Sequence, residues 1–227
     1  MPLHVPPAPA PALRSVLAAL GSPTAVRDAR TPALQSVQGP LSPELPLPVH
    51  ILDGPGVPGI PGVPDHVTQE DRTTTPGSGT PRTRLTGWRF LIRSGDRSVA
   101  AADTMLTADG WAFSRFFEGP YLPSTERALR QAESLTTAYQ PRLLSVPELY
   151  MLTLWLHGDT EADPGAGAPA PTDILVPLAP APPGIAAHRP HRVAELLPVI
   201  GLRLTPAPPL APAPAAAPAP PLLRTPA

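Results

Sequence analysis

Proline constrains this chain more than any other residue type. There are 39 prolines among 227 residues, several times the usual share of about 5%. Each proline fixes φ and removes a backbone N–H, so prolines at this density cannot all occupy helix interiors or central strands. Their placement is uneven: residues 1–82 hold 17, residues 83–160 hold 4, and residues 161–227 hold 18. The ten aromatic residues follow the opposite pattern and all lie between Trp88 and Trp155. Aromatic side chains bury the most area and dominate cores. The two distributions predict a folded core over residues 83–204, between a Pro/Gly-rich arm (1–82) and a Pro/Ala-rich tail (205–227). The arms lack the apolar bulk to offset the entropy of ordering them.

Within the first arm, Ala10–Leu20 has Leu13, Val16, Leu17 and Leu20 at helical spacing. An isolated helix of this length is too short to persist alone, because nucleation is costly. It is expected to matter only if it docks on the core or on a partner. Residues 56–64 repeat Gly-Val-Pro, Gly-Ile-Pro, Gly-Val-Pro, too short a run for a triple helix and read as a linker. The tail has nine prolines and eight alanines in residues 205–227, the composition of a polyproline-II spacer.

The core reads as α+β. Trp88, Phe90 and Ile92 alternate with Arg89, Leu91 and Arg93, which is strand periodicity. Ser94–Arg97 forms a turn, and the return strand carries Val99, Ala101 and Asp103. Trp111–Phe117 is a third strand. A helix opens at Pro123-Ser124, with Ser124 as N-cap and Ala128, Leu129, Ala132, Leu135 and Tyr139 on its apolar side. Arg142–Val146 is a short strand. Leu149–His157 fits either period, and a strand is preferred because Thr172–Leu178 offers it a partner. His191–Ile200 closes the core as a short helix. The expected fold is a small antiparallel sheet of about five strands under one main helix and a short C-terminal helix, flanked by disordered arms.

Composition excludes several chemistries. The chain has no Cys, Lys or Asn. Disulfides, thiolate nucleophiles and Cys-ligated zinc or iron–sulfur clusters are therefore impossible, as are Schiff-base lysines. The formal net charge is −1, which gives no general attraction to nucleic acid or anionic membrane. No apolar run approaches the roughly 18 residues of a membrane span. Val16–Leu20 is too short for a signal peptide and is preceded by prolines. The expected setting is cytoplasmic.

Motifs add little. Gly54–Gly59 matches G-x-G-x-x-G in letters, but Pro55, Pro58, Pro61 and Pro64 forbid the helix whose N–H groups would face a pyrophosphate. His157, Asp159, Glu161 and Asp163 alternate like metal ligands. Pro164 stands where a calcium loop needs glycine, so the stretch reads as a solvated acidic loop. Pro190 separates His188 from His191 and keeps them off one helical turn. Arg82, Arg84, Arg89, Arg93 and Arg97 share a stretch whose sole acid is Asp96. Arg89, Leu91 and Arg93 are the candidate binding residues, on an outward strand face. Asp103 is the unusual residue: simple hairpin pairing places it opposite Trp88, on the apolar face, where a carboxylate is costly. Neither G-x-S-x-G nor H-E-x-x-H is present.

The expected function is a non-catalytic binding or assembly protein with a protein partner, using no cofactor, no metal and no membrane. The alternatives are a small enzyme built on carboxylates and imidazole (Asp103, His157 and Asp159) and nucleic-acid binding through the Arg-rich strand, which is not the favoured reading.

Overall fold

The computed structural model describes residues 3–29, 31–52 and 83–204. The Gly-Val-Pro triplets, the G-x-G-x-x-G match and the tail lie outside them. The described residues form five helices and one sheet of eight strands: α1 (Ala10–Leu20), α2 (Pro23–Asp28), α3 (Pro32–Ser36), β1 (Ser42–Leu52), β2 (Thr83–Ser94), β3 (Arg97–Thr107), β4 (Gly110–Phe117), α4 (Tyr121–Glu133), β5 (Gln140–Val146), β6 (Met151–His157), β7 (Ile174–Pro177), β8 (His191–Arg192) and α5 (Val193–Leu204). The strand order is β4-β3-β2-β1-β5-β6-β7-β8. All neighbours are antiparallel except β1 and β5, which are parallel. This corrects the expected fold. The chain is α+β, but the sheet is mixed and larger than a five-stranded antiparallel one.

The largest departure is β1, which lies mid-sheet although it falls in the expected N-terminal arm. Its sequence, SPELPLPVHIL, has three prolines. It pairs with β2 from Ser42 to Leu52, with irregularities around Leu45–Pro46 and at His50. It pairs with β5 only through Val49, His50 and Ile51, which contain no proline. A proline lacks the N–H for a two-sided ladder, so the strand is bonded on both edges only where proline stops.

Both sheet faces are covered. On one face α4 sets Leu122, Ala128, Leu129 and Ala132 against Leu47, Leu91, Leu143, Leu154 and Val176. On the other, α1–α3 bring Ala12, Val16, Ala19 and Leu34 to Trp88, Phe90, Ile92 and Phe116. Beside them α5 packs Val193, Leu196, Leu197 and Ile200 on Leu144, Val146, Trp155 and Leu175. The α1 helix has the predicted limits, but its most buried residues are Ala12, Val16 and Ala19, while Leu17 is exposed. Small residues let the helix approach the sheet closely.

The β2–β3 hairpin forms as expected, with a register shift between Ile92 and Arg93. The bulge moves the later pairs by one: Phe90 faces Ala102, Trp88 faces Thr104 and Arg89 faces Asp103. Of residues 149–157, Leu149 ends a 3-10 turn (Pro147–Leu149), Tyr150 follows it, and Met151–His157 is strand β6. Helix α4 begins at Tyr121, so Ser124 lies within its first turn instead of capping it. His191 and Arg192 belong to β8, and α5 starts at Val193. No described helix is long and apolar enough to cross a membrane.

Candidate functional site

Two groups of polar side chains stand out. The first is centred on the Arg89–Asp103 pair. The bulged register places Arg89, Asp103 and Arg115 side by side on β2, β3 and β4. Arg89 donates twice to Asp103, Nε to Oδ1 at 2.8 Å and Nη2 to Oδ2 at 3.0 Å. Arg115 is 3.8 Å from Oδ2, with its side chain 69% exposed. Both guanidinium carbons lie over the Phe117 ring, at 4.4 and 5.6 Å from its centre. Such stacking holds the two cations in place.

This triad forms the wall shared by two cavities on the α4 face. One, of about 350 Å³, is lined by Val49, Ile51, Leu85, Met105, Leu106 and Arg115 among others. The second, of about 560 Å³, is lined by Arg89, Arg115, Phe117, Tyr121, Tyr150 and Leu152 among others. They adjoin at Arg115, which lines both, and the lining residues of this two-part trough are drawn from β4 across to β6. At strand spacings of about 4.8 Å, five steps across the sheet give roughly 24 Å. Tyr150, which has φ +49°, is held at the rim, where the Tyr121 hydroxyl donates to its carbonyl at 2.6 Å. Burial raises the Tyr121 pKa, with Arg89 pulling the other way.

The second group fastens the loop 158–171 to the opposite face. Asp173 is buried at the start of β7. Its Oδ2 accepts Trp155 Nε1 at 2.8 Å, His157 Nδ1 at 2.7 Å and the Ala170 N–H at 3.0 Å, and its Oδ1 accepts the Gly158 N–H at 3.0 Å. Burial alone would raise its pKa, but the bonds from His157, Gly158, Trp155 and Ala170 outweigh burial and hold the carboxyl below its ordinary value. Arg142 is also buried, stacked on Trp155. It donates to Gln140 Oε1 and to the Ala166 and Asp163 carbonyls of the loop. Gln140 donates to Thr160 O and Ala162 O, and His50 Nε2 lies 2.9 Å from Pro164 O. These polar groups secure backbone carbonyls that have no ladder partner.

The sequence-predicted residues divide between these groups. Arg89, Leu91 and Arg93 do not form an outward face: Leu91 is 1% exposed under α4, and Arg89 is mostly buried against Asp103. Packing by α4 on that side is the reason. Arg93 sits at the strand end, where Nη2 donates to Asp96 O and Nε is 3.6 Å from Glu44. Asp103 is paired with arginine, not set against Trp88. His157 and Asp159 do not converge. His157 binds Asp173, and Asp159 accepts the Glu161 N–H within its own turn. His188 Nε2 is 3.2 Å from Ser124 Oγ, which also accepts the Ala179 N–H at 2.7 Å. This is a hydroxyl–imidazole contact, but Ser124 is 5% exposed and its oxygen is committed to the Ala179 amide, so the pair clamps loop 179–188 to α4. Among the described residues, no group of three His, Asp or Glu could hold a metal ion.

No local sequence pattern marks Asp173, Arg142, His50 or Arg115 as site residues. One signal was available: Trp155 and His157 are two apart on a strand and so share a face, which calls for a polar partner there. No family model matches this chain, and neither a curated protein nor a solved structure matches it.

Proposed function

We propose that this chain is a non-catalytic binding or assembly protein that seats a partner protein across the trough on the α4 face. The observation that carries the reading is the trough itself. Its two cavities together draw their lining from β4 to β6, with exposed Met105 and Leu106 in one and Tyr150 in the other. Large apolar side chains left exposed beside cavities are a mark of interaction sites. The acid–base alternative has less support. The carboxylates of Asp103 and Asp173 are spent on neighbouring donors, and among the described residues neither Asp103 nor His157 is hydrogen-bonded to a hydroxyl nucleophile.

Site-specific photocrosslinking tests this. A photoreactive residue at Tyr150 and, separately, at Met105 should capture the same protein in the native host. The same residue at Leu17 or Leu202, which are exposed elsewhere, should not. Crosslinks from Tyr150 and Met105 no stronger than from those controls would refute the reading.

A further inference from the structure

Resting on that reading, we infer that the trough selects an acidic, extended segment of its partner and that Arg115 takes one of its carboxylates. Arg89, Asp103 and Arg115 form a cross-strand row whose charges alternate plus, minus, plus. Asp103 is already satisfied by the two-pronged bond from Arg89. Arg115 approaches it only at 3.8 Å, by Nε, and its side chain is 69% exposed. Its remaining donors are therefore open to an incoming acceptor. Arg115 lines both cavities, so an acid on a segment lying in the trough meets its remaining donors, and charge complementarity favours that acid. Guanidinium binds carboxylate in a planar, two-pronged way.

In the lining Arg89 and Arg115 flank Asp103, which leaves the row one positive charge in excess (2 − 1). Between them the walls are apolar, with Val49, Ile51, Leu85 and Leu152. An extended chain alternates its side chains between two sides at about 3.3 Å per residue. Roughly seven residues then span the trough's estimated 24 Å, with acids interspersed among apolar residues. A nucleic acid fits less well. Asp103 sits in the centre of the row and repels phosphate, and Phe117 is already stacked under two guanidinium groups instead of being free for a base.

Panning a random twelve-residue phage library against the full chain, followed by fluorescence anisotropy on the enriched peptides, tests this. Enriched peptides should carry Asp or Glu among apolar residues. Arg115→Gln should raise Kd roughly tenfold or more, the scale of a lost charge-assisted hydrogen bond. Replacing the acid of the peptide by its amide should do the same, and the two changes together should cost little more than one. The melting temperature of Arg115→Gln should match that of the parent, so that lost binding is not lost folding. Enriched peptides without acids that still depend on Leu106 and Tyr150, tested as Leu106→Asp and Tyr150→Ala, would overturn the acidic preference and leave the trough as the partner site. Enriched peptides indifferent to all three variants, or no enrichment over an empty surface, would overturn both. Salt-sensitive binding of mixed-sequence single-stranded RNA that Arg115→Gln abolishes would also overturn both, in favour of nucleic acid.

Discussion

Mild acid should destabilise this fold through one histidine. His50 is fully buried on β1, at the centre of the sheet. Its ring meets Trp155 edge-on at 5.3 Å, with Nε2 2.9 Å from Pro164 O and Nδ1 3.4 Å from the Thr83 hydroxyl. Burial lowers its pKa from 6.5 to about 4, the Pro164 bond opposes the shift, and the charges of Arg142 and His157 add to it. The unfolded chain therefore takes up this proton first. Between pH 6.5 and 4 it binds more protons than the native state, so stability present at neutral pH is lost as pH falls. A gap of about 2.5 units at 1.36 kcal/mol per unit gives roughly 3 kcal/mol. That is a large part of a typical stability of about 5–15 kcal/mol. Burial also lowers the His188 pKa, with the same sign. Asp173, whose pKa is depressed, contributes stability that is lost only at lower pH, below the ordinary carboxylate value. Urea unfolding at steps from about pH 7.5 to 4.5 should show the decline in wild type. His50→Gln keeps an amide that can donate to Pro164 but cannot titrate there. It should flatten the pH dependence while its own cost shows as a constant offset. Parallel curves for the two proteins would refute the assignment to His50.

Three other outcomes are expected. Asp173→Asn keeps the shape but replaces one acceptor oxygen by a donor, so it should cost about 2–3 kcal/mol; chemical denaturation measures the loss, and limited proteolysis should show earlier cleavage in loop 158–171. Gly87→Ala should give a marked fall in melting temperature, about 1–3 kcal/mol or more, because the new Cβ would run into the Thr104 carbonyl oxygen across the β2–β3 ladder. The isolated fragment 83–204 should fail to melt cooperatively by circular dichroism, because it lacks β1 between β2 and β5 and lacks Ala12, Val16 and Leu34 over Trp88 and Phe90; a sharp two-state melt would show that residues before 83 are dispensable.

Local periodicity carried most of the 83–204 reading. Trp88, Phe90 and Ile92 alternate because one side of β2 is packed under α1–α3, and that pattern is visible without knowing what covers it. Its other side looks solvent-facing in the sequence, since Arg89 and Arg93 flank Leu91. The guanidinium of Arg89 is half of an ion pair in that layer, and its partner was hidden by one bulge. A register shift of one residue decides which face a strand side chain occupies, and nothing in Arg93–Arg97 announces where the extra residue falls. The Asp173 cluster was hidden for a different reason. Its members come from β1, β5, β6 and the start of β7, so only the long-range pairings bring them together.

Residues before 83 look like an arm in the sequence because their prolines are so many. Proline content was averaged over 82 residues, but the sheet tests proline one backbone bond at a time. In β1, Pro43 and Pro48 pair with Ile92 and Trp88 on β2, and on the other edge the ladder to β5 is confined to Val49–Ile51. In α1, α2 and α3 a proline stands at the first or second helical position, where the missing N–H has no partner to lose. Pro46 falls in the stretch between Glu44 and Leu47 where the register with β2 shifts. Placement relative to the hydrogen-bond pattern, not abundance, decides whether such a segment can join a core.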